Sequence, residues 1–220
     1  MPSVKRIVLI RHAISAANRD GLVAGQLPSY LTEEGHAQAA RTAVALQQRY
    51  EDVGTIARSD LKRVAETSAP FEAVIDAPVV IDPRWREQSA GRLGGLTRPE
   101  VDAADPEAAA AWKAGVDVAA ADGESLGEVG VRAHAAMDDL IAKAAGPTVL
   151  VFTHGGTIRA LVARVLGLPA NSVRKLAPVG NATISEFKVG SRGPTLRLLG
   201  LDSHLHDTQV LARPEAMPSC

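Results

Sequence analysis

Mostly apolar, β-branched runs alternate along the chain with segments in helical rhythm. Residues 4–10 form the first such run, the pattern of a strand buried on both faces, and it stops abruptly at Arg11-His12. Residues 148–152 (Thr-Val-Leu-Val-Phe) form the second and stop at Thr153-His154-Gly155-Gly156. Shorter strands are predicted over 55–57, 79–81, 182–187 and 196–201. Between them Thr32 can cap a helix to about Tyr50, with Glu33 and Glu34 in the first turn, where acids suit the helix dipole. Ser59-Asp60 opens another helix, and Ser125-Leu-Gly-Glu128 is a capping box. Val129, Ala133, Ala136, Met137, Leu140 and Ile141 follow that box at helical spacing. Strands alternating with helices predict an α/β fold with a largely parallel sheet. Residues 101–123 are alanine-rich, with Pro106 and Trp112, and read as weakly packed helix over or beside a site. The tail 213–220 carries two prolines and no period, and is expected to be loose.

Composition narrows the functional classes. A chain of 220 residues suits one domain, which should bury roughly 70% of its unfolded surface. Lys plus Arg is 24 and Asp plus Glu is 25, which argues against a bulk electrostatic grip on nucleic acid or anionic membrane. Cys220 is the sole cysteine, so a Cys-X5-Arg phosphate loop, a Cys-His protease site, a thiolate zinc site and an internal disulfide are all excluded. The first residues lack the apolar core of a signal peptide, and no apolar run approaches the ~20 residues of a membrane span. A cytoplasmic protein is expected.

The chemistry collects where strands end. Ligands of open α/β sheets sit beyond the carboxyl ends of the strands. There the chain offers Arg11-His12, Arg63 shortly after the 55–57 strand, and His154 ahead of Gly155-Gly156. Gathering several cations is costly unless an anion belongs among them. A phosphoryl group fits, because arginine forks bind its oxygens bidentately and the amides of Gly155 and Gly156 at a helix start can add donors.

Leu9-Ile-Arg-His-Ala-Ile-Ser-Ala-Ala-Asn18 resembles the signature of the histidine phosphatase superfamily, which includes the cofactor-dependent phosphoglycerate mutases. The Arg-His-Gly-Glu-(Ser/Thr)-X-X-Asn pattern falls on Arg11, His12, Ser15 and Asn18. Similar segments follow in order at 31–39, at 59–67 with Arg63, at Trp85-Arg86-Glu87, at Gly123-Glu124-Ser125 and at Thr153-His154-Gly155-Gly156. The resemblance implies His12 as nucleophile and Glu87 as general acid and base. It implies Arg11, Arg63 and His154 as phosphate ligands, with Ser15 and Asn18 as further phosphate or loop contacts. The scheme needs no metal and no cofactor. The chain departs from the pattern at Ala13 (for Gly), Ile14 (for Glu) and Ala24 (for a substrate-binding Thr), which leaves the substrate open.

The expected protein is therefore a three-layer α/β sandwich with a mostly parallel central sheet and helices on both faces. It forms one domain over 1–212, with a small helical cap insert at about 88–122. Its expected activity is metal-independent hydrolysis of a small phosphorylated metabolite through a phosphohistidine. The rivals are a phosphoglycerate mutase, disfavoured by the short segment between Glu87 and Gly123, and a phosphate-binding module without turnover. Gly123-Glu-Ser-Leu-Gly127 formally matches a serine-hydrolase elbow, but the preceding residues are poor strand material. His204 and His206 would share one strand face as a metal pair, yet no further ligand cluster accompanies them. Of the run Arg84, Arg86, Arg92 and Arg98, any member near Glu87 is a candidate contact for an acidic substrate. Residues 19–29 and 88–122 are expected to form the selecting walls. Oligomeric state stays open, with a homodimer through an edge strand as one arrangement.

Overall fold

The computed structural model describes residues 4–119 and 122–206. The tail 213–220, with Cys220, lies outside the described residues. Six strands among the described residues form one sheet: β1 (Arg6–Arg11), β2 (Val53–Arg58), β3 (Val79–Ile81), β4 (Thr148–Thr153), β5 (Ile184–Gly190) and β6 (Gly193–Leu201), in the order β3-β2-β4-β1-β5-β6. The first four are parallel, and β5 and β6 add an antiparallel edge.

Two-residue periodicity divides the core. Ile7 and Leu9 of β1 pack with Ala133, Met137, Ile158 and Leu161, whereas Val8 and Ile10 pack with Leu46, Val64 and Phe71. The first face is covered by α6 (Leu126–Lys143) and α7 (Gly155–Val165), the second by α2 (Glu33–Arg49) and α3 (Lys62–Glu72). Three layers result. Because β1 and β4 carry apolar residues toward both helix layers, their sequences read as continuous runs rather than as alternation.

The local signals hold with small shifts. Thr32 caps α2 by accepting from the Gly35 amide at 3.0 Å, and Ser125 caps α6 in a box with Glu128. That cap disposes of the serine-hydrolase reading of Ser125. The helix expected at Ser59-Asp60 starts instead after Leu61, because Ser59 is buried and turned into the site. The strand expected from 182 starts at Ile184, since Ala182 has φ +58° and donates its amide to the carbonyls ending β1. The final strand starts earlier, at Gly193, in a tight turn where φ is +94°.

The alanine-rich stretch is two short helices after α1 (Ala16–Arg19) in the series: α4 (Arg98–Ala104) and α5 (Pro106–Lys113). Asp105 ends the first and caps the second by accepting from the Ala108 amide at 3.0 Å. No helix among the described residues is long and apolar enough to cross a membrane.

Candidate active site

Register brings the site together. Arg11 lies opposite Thr153 across β1 and β4, so the next residue of each strand, His12 and His154, emerges at the same level. Their rings meet edge to face, with centroids 5.2 Å apart. The end of β2 lies level with Phe152, and the amide of Ser59 beyond it donates to the Phe152 carbonyl at 3.1 Å. From there the first turn of α3 sends Arg63, only 2% exposed, between the two rings.

Hydrogen bonding fixes the tautomers. The Ala13 carbonyl, 2.8 Å from His12 Nδ1, can only accept, so Nδ1 carries the proton and Nε2 the lone pair. Arg63 donates from Nε to His12 Nε2 at 3.3 Å and from Nη2 to His154 Nδ1 at 3.2 Å. His154 therefore carries its proton on Nε2, facing Ser59 Oγ at 3.1 Å. Arg63 also holds the loop ahead of α2 through the carbonyls of Gly25 (2.7 Å) and Leu27 (3.1 Å). Arg11 donates to the Val179 carbonyl at 2.6 Å, while its buried Nε has no hydrogen-bond partner among the described residues.

Burial, then Arg63 and then Arg11 hold the His12 ring well below its ordinary value of 6.5. Burial followed by Arg63 does the same to His154. Burial also lowers both arginines, which Glu87 partly offsets. Burial is thus a larger cause of the neutral His12 ring than either arginine.

Two buried neutral histidines make stability depend on pH. Above the unfolded value near 6.5 neither state takes up these protons, and the stability is fully present. As pH falls below it, the unfolded chain binds two protons that the folded chain refuses until its own depressed values are reached. Half-buried His204 is lowered too and acts in the same direction. Between pH 7 and 5 unfolding free energy should therefore fall, approaching about 1.4 kcal/mol per pH unit for each such ring. Urea midpoints across that range measure it. His154→Gln should flatten the slope by about one proton's worth, and a midpoint independent of pH would contradict the assignment.

Glu87 follows the 3-10 turn Pro83–Trp85 and lines, with His12, a cavity of about 310 Å³. Its Oε2 accepts from the Gly156 amide at 3.1 Å and its Oε1 from the Gln88 amide at 2.8 Å. A Cβ at Gly156 would overlap Glu87 Oε1, and one at Gly155 would come within 3.1 Å of Arg11 Nε. The glycine pair thus makes room for Arg11 and Glu87. Arg132 of α6 holds the Glu87 segment from behind, donating to the carbonyls of Arg84 (2.7 Å), Arg86 (2.8 Å) and Glu87 (3.0 Å). Glu124 closes on Arg132 at 2.8 Å. Nothing in the sequence marks Arg132 as part of the site, whereas Ser59 opens the 59–67 segment that carries Arg63.

The structure brings Arg11, His12, Asn18, Arg63 and Glu87 onto one cavity, with His154 bound to Arg63 behind it. Asn18 Oδ1 is taken by Ser15 and Asn181, so its amide nitrogen is the group left to meet a ligand. Besides His154, two expected contacts are placed differently. Ser15 is fully buried, caps α1 and does not line the cavity; it steadies Asn18. Gly155 does not line it either, and the Gly156 amide serves Glu87. Ala13 turns its methyl into a small apolar cluster with Leu31, Ala39 and Ala182 and does not line the cavity. Leu22 to Gly25 and the Gln88 to Trp112 region supply walls, as expected. Arg84 and Arg86 are spent on Asp82, Asp139 and Asp60, and Arg92 faces Asp105, so only Arg98 of that run lines the cavity. His204 bonds Thr42 and the Ala182 carbonyl, while His206 faces Asp202.

Comparison with known proteins agrees with this geometry. Residues 7–202 match the model of the histidine phosphatase superfamily (branch 1). The chain is 37% identical over 188 residues to a glucosyl-3-phosphoglycerate phosphatase of Mycolicibacterium vanbaalenii, covering 82% of each chain. It is 31% identical over 216 residues to a probable phosphoglycerate mutase of Erwinia tasmaniensis, covering 93% of this chain and 97% of that protein. The solved structure of mycobacterial glucosyl-3-phosphoglycerate phosphatase with VO3 superposes with a TM-score of 0.82 at 30% identity, covering 90% of this chain and all of that one. From the flush strand ends, the paired histidines and these matches together, the chain belongs to branch 1 of the histidine phosphatase superfamily.

Proposed function

We propose that the chain is a metal-independent phosphomonoesterase that hydrolyses a small phosphorylated metabolite through a phosphohistidine on His12. The observation that carries this reading is the His12 Nε2 lone pair, kept uncharged among Arg11, Arg63 and His154, with Glu87 on the same cavity. Nε2 attacks phosphorus in line, the bond to the ester oxygen breaks, and Glu87 gives that oxygen its proton. Glu87 then takes a proton from water, whose oxygen attacks phosphorus. The P–N bond breaks, inorganic phosphate leaves and His12 returns neutral. Throughout, the Ala13 carbonyl holds the Nδ1 proton, and the arginines meet the nonbridging oxygens.

The test is to quench the protein on a 32P-labelled phosphomonoester and find acid-labile label on His12, with turnover that survives EDTA. Glucosyl-3-phosphoglycerate, the substrate in the names of two relatives, is the first ester to try. Other relatives are named as probable mutases, which makes 3- to 2-phosphoglycerate exchange the necessary control. Exchange far faster than hydrolysis would replace the phosphatase reading with a mutase.

Glu87→Gln separates the acid from the nucleophile. Alkyl phosphates, whose leaving oxygen needs a proton, should lose roughly 10²–10⁴-fold in kcat/KM. p-Nitrophenyl phosphate, whose leaving group departs unaided, should lose far less. Equal losses for both would place the acid elsewhere.

A further inference from the structure

The turn that leads into β5 touches three members of the phosphate site at once. The carbonyl of Val179 accepts from Arg11 Nη1 at 2.6 Å. The amide of Ala182 donates to the carbonyls of Arg11 and His12 at 3.1 and 3.2 Å. Between them, Asn181 donates from its side-chain nitrogen to the His12 carbonyl at 3.0 Å and to Asn18 Oδ1 at 3.1 Å. Both hydrogens of one amide nitrogen are thereby spent, one on the nucleophile's own residue and one on the asparagine that lines the cavity.

Asn18 needs that tie. Its Oδ1 also accepts from the amide and the hydroxyl of Ser15, at 3.2 and 3.1 Å, but Ser15 caps the same short helix and moves with it. Of the donors to Oδ1 among the described residues, Asn181 is the one from a distant part of the chain, and it refers Asn18 to the end of β1. An amide whose oxygen is held by three donors can turn only its nitrogen toward an anion.

The turn is itself held from the far side. Ala182 has φ +58°, a left-handed conformation that a residue with a Cβ keeps only where its surroundings fix it. His204, in the 3-10 turn Ser203–Leu205, does so. Its Nε2 lies 3.0 Å from the Ala182 carbonyl, which can only accept, so Nε2 donates; Thr42 Oγ1 of α2 lies 3.2 Å from the same nitrogen. Leu205, next to it, packs against the cluster of Ala13, Leu31, Ala39 and Ala182. The histidine that the sequence offers as half of a metal pair thus grips the back of the phosphate site. We infer that Asn181 is a positioning residue that holds Asn18 beside His12 to receive phosphate, and that His204 acts through it from the C-terminal turn. This rests on the phosphatase reading and adds two residues that its motifs do not contain.

Calorimetric affinity for inorganic phosphate tests the inference without turnover. N18A should weaken binding by about tenfold and N181A by about fivefold, the scale of one lost or misdirected hydrogen bond to an anion. In N18A/N181A the second substitution should cost less than about twofold, because the tie has nothing left to hold. H204A should weaken binding by about threefold in the wild type and by no more than experimental error in N181A. H204Q, whose amide can still donate to the Ala182 carbonyl, should keep most of the affinity. kcat/KM for p-nitrophenyl phosphate should fall in the same order. Losses that simply multiply in N18A/N181A, or an H204A variant that binds phosphate as the wild type does, would overturn the inference while wild-type turnover leaves the phosphatase reading standing. Should N181A fail to fold, the cycle between N18A and H204A replaces it: the H204A loss should vanish in N18A, and a loss that persists would overturn the inference. A wild type that neither binds phosphate nor hydrolyses p-nitrophenyl phosphate would overturn the phosphatase reading and the inference with it.

Discussion

His12→Ala lowers kcat/KM for every phosphomonoester by roughly 10⁴-fold or more and abolishes the acid-labile phosphoenzyme. No neighbour can take over. His154 is the other ring at the strand ends, but it lies behind Arg63 and does not line the cavity, and its Nε2 proton faces Ser59. The arginines and Glu87 remain and can still bind phosphate, so affinity for inorganic phosphate should fall far less than turnover. Removing one buried neutral histidine should also flatten the pH dependence of stability below 6.5 by about one proton's worth. Quenched labelling and single-turnover kinetics check the first claim, and urea unfolding at two pH values checks the last. An alanine variant that still forms an acid-labile phosphoenzyme would move the nucleophile to another residue.

How much of this was legible in the sequence depended on whether a residue acts through its own strand end or through distant chain. Arg11, His12 and His154 stand where apolar runs break off, and the parallel register of β1 and β4 makes those breaks coincide in space. The layers were legible for the same reason, since strands buried on both faces are unbroken apolar runs. Element starts were less so: Ser59 has the composition of a helix cap, but its hydroxyl is turned toward His154, and the helix starts after Leu61. Arg63 and Glu87 were found through motif resemblance, because composition alone does not say that a helix's second residue or a turn's exit will face the site. Arg132 was not found at all. It sits in α6 at a position that reads as the polar face, and only the path of the 84–87 turn across it reveals three carbonyls waiting for its guanidinium. Arg159 and Arg174 reach the cavity from α7 and the turn after it, and no local pattern marks them. Ser15 and Gly155 match the motif pattern, yet Ser15 bonds Asn18 and neither residue lines the cavity.

Arg63→Met should cost roughly 10³-fold in kcat/KM, at the upper end for loss of one preorganised donor, because the side chain orients as well as binds. Its fork reaches both histidines and pins the Gly25 and Leu27 carbonyls that close the near wall of the cavity. Stability responds differently. The variant orphans two carbonyls, each worth about 1–3 kcal/mol where buried, but it also removes a guanidinium buried without a carboxylate partner, whose desolvation is costly. The two effects oppose, so the unfolding free energy should move by less than about 2 kcal/mol, while the loss in transition-state stabilisation is about 4 kcal/mol. Arg63 is the second cause, after burial, of the lowered His12 and His154 values. Both should therefore rise in the variant yet stay below 6.5, since burial remains. NMR titration of the two rings reads this directly, and the acid limb of kcat/KM should move up with His12. Arg63→Lys discriminates charge from geometry: an ammonium restores the Coulombic push on the rings but lacks the planar fork that reaches both rings and both carbonyls. The lysine variant should accordingly recover the histidine titrations and little of the activity. Full recovery of activity by lysine would show that Arg63 serves only as a charge.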